Sequence, residues 1–169
     1  ATGYDVIRHF IDWHLKTLGE VPDLITQLLP TTPLRDPKIV DYAVYMLGEN
    51  RKSNSLRSAH KLAEPPQKMM KIENGYFAGF FPDTYKDSEY WNLPRQTFPD
   101  AYHPNGYVEI IRPSVLVCCE VLFGINIFPY ITNHIVEIDQ PEDFEYLEYI
   151  IEKKGHLLLD YLKANYKHD

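Results

Sequence analysis

The sequence predicts an α/β layered domain. Three observations carry that reading. Short β-prone runs alternate with helical apolar stripes, an Asn-Gly pair separates two β-prone runs, and prolines and glycines fall at the joins. With 169 residues, the chain is the size of one domain and long enough to bury a proper core.

The elements follow in order. "YDVIRHFIDWHLKTLGE" places Val6, Ile7, Phe10, Ile11, Leu15 and Leu18 on a helical stripe, with Asp5 to cap its start and Gly19 to end it. "DLITQLL" (23–29) is short, β-prone and closed by Pro30, which predicts a strand. In the loop that follows, Asp36 is a good N-cap and Pro37 sits at the first helical position of "KIVDYAVYML", a helix expected to stop at Gly48. "SNSLRSAHKL" (53–62) predicts a second strand, and "KMMKIENGYFAGF" a hairpin turning at Asn74-Gly75. Residues 81–104 form a long tract rich in aromatics and prolines; a structureless loop of that length is expected only where it serves function or assembly. "GYVEIIR" reads as a strand, "PSVLVCCEVLFG" as a helix, and "NIFPYIT" and "HIVEI" as short strands. From Asp139 the chain turns helical in "DQPEDFEYLEYIIEKK", followed by a more polar coda.

Composition narrows the function classes. Hydrophobic residues make up 44% and aromatics 14%, which is globular rather than disordered. The net charge of −7, with basic residues spread along the chain, argues against nucleic acid as a non-specific partner but leaves room for a small anionic substrate. No apolar run is long enough for a membrane span, and no signal peptide opens the chain. Cys118 and Cys119 are adjacent, a poor fit to a disulfide or a zinc site, and read as buried thiols in a reducing, cytoplasmic compartment. The seven histidines show no metal-like spacing.

Three stretches are candidate sites, since ligands in α/β folds bind outside the carboxyl ends of strands. In "LLPTTPLR" the prolines restrict the loop, Thr31 and Thr32 offer hydroxyls and backbone N–H groups, and Arg35 precedes a helix N-terminus where anions are favoured. A tight proline turn with Arg35 in solvent fits the same residues. In "VEIDQPEDFE", Glu137 and Asp139 stand two apart on the expected strand, so that both carboxylates face one side and could hold Mg²⁺. Asp139 with Glu142 three residues later also fits a helix cap, the commoner use of that spacing. In "NLPRQTFPDAYHPNGYVEI", Arg95 and Gln96 fit carboxylate recognition, and equally an exposed loop.

Together these stretches resemble the acylneuraminate cytidylyltransferases, the synthetases of CMP-sialic and related nonulosonic acids. The family blocks stand here as "LLPTTPLR", "SNSLRSAHKL", "PPQKMMKIENG", "RQTFPDAYHPNG" and "EIDQPEDFE", in family order over about residues 24–150. The resemblance implies a Rossmann-like nucleotidyltransferase domain, of which this chain is the C-terminal portion. It implies transfer of CMP from CTP to a sugar acid, with release of pyrophosphate, and a homodimer whose arm, residues 65–104, lends sugar-site residues to the partner. It implies Asp139 as the metal carboxylate with Glu137 as a second acid, Mg²⁺ as cofactor, Arg95 and Gln96 in the sugar-acid site, Lys68 as the family lysine, and Asn105-Gly106 beside the pocket. The opening loop with Thr31, Thr32 and Arg35 then forms a wall of the sugar and phosphate pocket. The aromatics Phe80, Phe81, Tyr85, Tyr90, Trp91 and Phe98 are expected to supply dimer surface.

Two departures stand out. The family's basic, glycine-bearing loop that grips CTP has no counterpart in these residues, so the alternative is a non-catalytic relative that binds the sugar acid or dimerises. Leu29 stands where many relatives carry a glutamine that touches the sugar, which points to a different acid.

Overall fold

The computed structural model describes residues 1–85 and 89–166; residues 86–88 of the long tract, and the last three of the coda, lie outside it. Its main sheet has four strands in the order β1 (Ile25–Gln27), β4 (Tyr102–Ile111), β2 (Ser55–Lys61), β5 (Ile127–Thr132), with the label β3 kept below for the hairpin. β1, β2 and β5 run parallel in space, while β4 lies antiparallel between β1 and β2. Helix α1 (Gly3–Leu18) and helix α3 (Pro113–Cys119) cover one face through Ile7, Ile11 and Leu116 against Ile25 and Ile111. Helix α2 (Pro37–Glu49) covers the other, setting Ala43 and Leu47 on Leu56, Val108 and Ile110. Burying these side chains removes apolar surface from water on both faces, the main force holding the layers.

Local chemistry decides several boundaries. Asp36 caps α2 through Lys38 N–H at 2.9 Å and Pro37 opens it, as the sequence predicts, but the helix runs through Gly48 to Glu49. At α1 the cap is Thr2, one turn earlier than expected; Asp5 accepts from Thr2 N–H at 2.7 Å in a reciprocal capping box, and Gly19 closes the helix at φ 78°. α3 ends at Cys119 rather than Gly124, because Glu120 turns left-handed at φ 54°. The stretch expected to turn helical from Asp139 forms helix α4 (Pro141–Lys154), and the coda adds helix α5 (Leu157–Asn165). Both cysteines are exposed, which corrects the buried-thiol reading.

"HIVEI" is not a strand. Thr132 ends β5 at one edge of the sheet, yet Ile138 N–H donates to Thr31 O at 2.8 Å, in the loop after β1 at the other edge. Crossing three strand gaps of about 4.8 Å takes roughly 14 Å, within reach of six extended residues. The segment therefore crosses from one edge of the sheet to the other instead of extending a ladder. It forms a strap from the carboxyl end of β5 to the loop after β1.

The hairpin is a separate two-stranded sheet, β3 (Met70–Glu73) with its return strand (Tyr76–Gly79), turning through Asn74 at φ 53° and Gly75 at φ 84°, the pair of left-handed residues that Asn-Gly supplies. Its neighbours correct the dimer-surface expectation in part. Tyr90 and Phe98 are buried, Tyr85 stacks on Tyr90 at 4.9 Å and meets Phe98 edge-on at 5.5 Å, and the Tyr90 hydroxyl accepts from Phe81 N–H at 2.7 Å. These rings form a small core of their own. The exposed apolar surface lies instead on the hairpin, at Ile72, Tyr76 and Phe77, and on Phe80. Gly79 is what lets the core close, since a Cβ there would collide with Tyr90 and sit 2.7 Å from Trp91. Gly79→Ala is expected to cost about 1–3 kcal/mol by overpacking, read as a lower melting temperature with loss of near-ultraviolet aromatic dichroism.

Candidate functional site

The carboxyl ends of β1, β2 and β5 carry a cluster of polar residues beneath the strap. It is built on an irregularity in β4. Arg57 pairs with Glu109 but Ala59 pairs with Pro104, so the chain between bulges where β2 offers only Ser58, whose hydroxyl accepts from Val108 N–H at 2.9 Å. Bulges of this kind re-aim side chains and often adjoin active sites. Here the bulge holds Asn105 and Gly106. Asn105 is fully buried, its amide donating to the Thr132 hydroxyl at 2.7 Å and its carbonyl accepting from Tyr107 N–H at 3.3 Å. Gly106 adopts φ 59°, and a Cβ there would stand 2.9 Å from Leu29 Cδ1 and 3.6 Å from the Thr32 hydroxyl. Leu29, in the glutamine position, thus packs on the glycine.

The loop 28–36 is locked to the bulge by Arg35. Its Nε donates to Tyr107 O at 2.6 Å, and its Nη2 donates to Leu29 O at 2.6 Å and Gly106 O at 2.9 Å. Burial lowers the Arg35 pKa from its ordinary value, and its side chain is spent on backbone carbonyls rather than solvent. The start of α2 is likewise filled, by the Asp36 carboxylate and by the Tyr107 hydroxyl, which accepts from Asp36 N–H at 2.6 Å. Arg35 and the helix N-terminus therefore build the wall. Thr31 holds the strap through its carbonyl, and Thr32 is wholly buried, its hydroxyl without a partner among the described residues.

The strap delivers Glu137 and Asp139 beside this loop. Asp139 does not cap α4. The cap is Gln140, and Asp143 accepts from both Asp139 N–H at 2.8 Å and Gln140 N–H at 2.9 Å. Those two hydrogen bonds hold the Asp143 carboxyl below its ordinary pKa, so the start of α4 loses this support as pH falls through the folded value. Asp139 itself is exposed, and its carboxylate enters no hydrogen bond among the described residues; Glu137 is half-buried. Because this segment is not a strand, the shared face expected of Glu137 and Asp139 does not follow from alternation; Mg²⁺ takes one or two carboxylates and completes its shell with phosphates and water. No group of three or more metal-ligating side chains exists among the described residues, so an all-protein cage is not what this corner offers.

Lys68, Arg95 and Gln96 fall in a second group. Arg95 and Gln96 line a cleft of about 570 Å³ with Lys61, Phe98 and Asp100, and Arg95 Nη1 donates to Ala63 O at 2.8 Å. Lys68 Nζ reaches Leu93 O at 3.2 Å, pinning the tract to the hairpin base. Beside the Asn105 corner lie residues that sequence spacing does not single out. His60, His103 and His134 come from three distant segments, with ring centroids 5.6 Å apart for His60–His103 and 4.8 Å for His60–His134. Strand pairing sets His60 beside His103, and the turn after β5 brings His134 to them, so no motif could have found them.

No family profile matches the chain. Among solved structures, that of CMP:2-keto-3-deoxy-manno-octonic acid synthetase complexed with CTP is similar over 90% of this chain and 69% of its own, with TM-score 0.57 and 16% identical residues. The two chains share a Rossmann-like α/β fold. In such a fold the polar corner beneath the strap lies at the carboxyl ends of the strands, the position where α/β sheets bind ligands. Among the described residues, no helix is long and apolar enough to cross a membrane.

Proposed function

We propose that this chain carries the acceptor half of a cytidylyltransferase that moves CMP from CTP to a sialic-acid-like sugar acid and releases pyrophosphate. The observation that carries the reading is the convergence of the 28–36 loop, the Asn105-Gly106 bulge and the Asp139 corner at the ligand end of a fold shared with a CTP-complexed synthetase. Phosphoryl transfer asks mainly for positioning and charge neutralisation, and rigid walls with two unspent carboxylates supply both. Asp139 and Glu137 would hold Mg²⁺, which when bound neutralises phosphate charge. Arg95 and Gln96 would take the acid's carboxylate, and Thr31, Thr32, Asn105 and Gly106 shape the pocket beside it. The outer edge of β1 has no partner strand among the described residues, and strands bearing the CTP-gripping loop would add there. The reaction belongs in the cytoplasm, where CTP is made.

Homodimerisation through the hairpin is part of the same reading, with Tyr76 78% and Phe77 71% exposed. Sedimentation at micromolar concentration should give a dimer that Tyr76→Asp with Phe77→Asp returns to monomer; a monomeric parent protein would remove the arm from the scheme. The function itself is tested by pyrophosphate release that requires CTP, Mg²⁺ and a sugar acid together, with the chain joined to its nucleotide-binding segment. Within that assay Arg95→Ala should raise KM for the acid roughly tenfold or more while leaving KM for CTP near its starting value. Equal effects on both substrates would take Arg95 out of the acid site.

A further inference from the structure

The three histidines lie beside the Asn105 corner of the site. His60 pairs with His103 on β4 and with Thr132 on β5, and Thr132 is the residue that receives the Asn105 amide. Lys61, the next residue of β2, points to the opposite face of the sheet and lines the Arg95 cleft there. The rings belong to the Asn105 side. His60 is 8% exposed, and its Nδ1 is buried without a partner among the described residues, so the cluster has hydrogen-bonding capacity that the fold does not use. His103 and His134 are exposed above it.

We propose that His60, His103 and His134 form a hydroxyl-binding face of the acceptor site, one that recognises neighbouring hydroxyl groups on a polyhydroxylated acid. This rests on the reading that the acceptor is a sugar acid. The chemistry favours hydroxyls over the other ligands of imidazole. A neutral imidazole has one donor and one acceptor nitrogen, which matches a hydroxyl group that is both. Burial, then His134 and His103, lower the His60 pKa from 6.5, so the ring stays neutral at neutral pH and is a poor anchor for an anion. Lys61, the neighbouring cation in β2, points to the other face and pairs with Asp100 at 2.7 Å. The rings also form no metal-holding group among the described residues.

The test is direct binding to the full chain by calorimetry, with N-acetylneuraminate and its periodate-shortened analogue, which keeps the carboxylate but lacks the outer hydroxyl-bearing carbons. The intact acid should bind about tenfold more tightly, the value of one to two well-made neutral hydrogen bonds. His103→Phe and His134→Phe should each narrow that gap and leave affinity for the shortened acid unchanged, while His103→Gln, which keeps a donor and an acceptor, should restore most of it. A gap that survives both phenylalanine variants overturns the proposal, as does failure of the chain to bind either acid. Histidine-dependent discrimination without any CMP transfer would leave this inference standing and remove the proposed reaction; transfer with the gap unmoved would do the reverse.

Discussion

Asp139→Ala is expected to leave the protein as stable as before and to cut pyrophosphate release on the order of a hundredfold, since metal-ion charge stabilisation is worth several kcal/mol in the transition state. The two halves of that expectation have separate origins. Stability holds because the capping work belongs to Asp143, which accepts from both Asp139 N–H and Gln140 N–H, while the Asp139 side chain supports nothing in the fold. Activity falls because a hard cation loses one of two carboxylates. Asp139→Asn should behave like the alanine variant, and added Mg²⁺ should recover part of the rate in either. Asp143→Ala gives the mirror image, a helix start weakened by the lost cap and read as a lower melting temperature, with turnover largely kept. Thermal melts and a Mg²⁺ titration of pyrophosphate release on the three variants separate the outcomes. Full activity in Asp139→Ala would take the metal out of this corner.

The second large effect is on folding. Arg35→Ala removes three hydrogen bonds to the carbonyls of Leu29, Gly106 and Tyr107 and unties the loop from the bulge. Hydrogen bonds to charged groups are worth about 1.5–3 kcal/mol each and are not additive, so a loss of about 2–4 kcal/mol is expected. For a domain of this size that lowers the melting temperature by roughly 5–15 °C. Arg35→Lys should recover little, because an ammonium lacks the planar fork that serves Tyr107 and Gly106 at once. If Arg35 served only to hold an anionic substrate, the lysine variant would melt like the parent and differ only in substrate affinity.

What the sequence made legible was the local chemistry. Asn74-Gly75 signals its turn because both positions need φ above zero, and Asp36-Pro37 signals a helix start because the cap and the fixed proline φ act within one turn. Long-range choices were not legible. Nothing near residue 102 says that β4 will slot antiparallel between β1 and β2, or that it will bulge at Asn105. Alternation in "HIVEI" suits a strand, but a strand also needs a free edge in line with it, and this segment crosses from one edge of the sheet to the other instead. The same limit applies to the site. Thr31, Thr32, Gly106 and Asp139 were placed by short motifs in order along the chain, whereas the histidine cluster exists only through strand pairing and the turn after β5. Arg35 shows the converse, a cation whose sequence context reads as anion-binding and whose neighbours in space are three carbonyls.

The central claim is CMP transfer, and the fate of the α-phosphate tests it most directly. With the complete protein, CTP radiolabelled at the α-phosphate, Mg²⁺ and N-acetylneuraminate, label should move into an acid-labile sugar product in step with pyrophosphate release. It should do so only when all components are present, and Asp139→Ala should suppress it. Label that stays in CTP with N-acetylneuraminate and with every other nonulosonic acid offered, or that leaves as free CMP at the same rate with and without a sugar acid, would contradict the assignment.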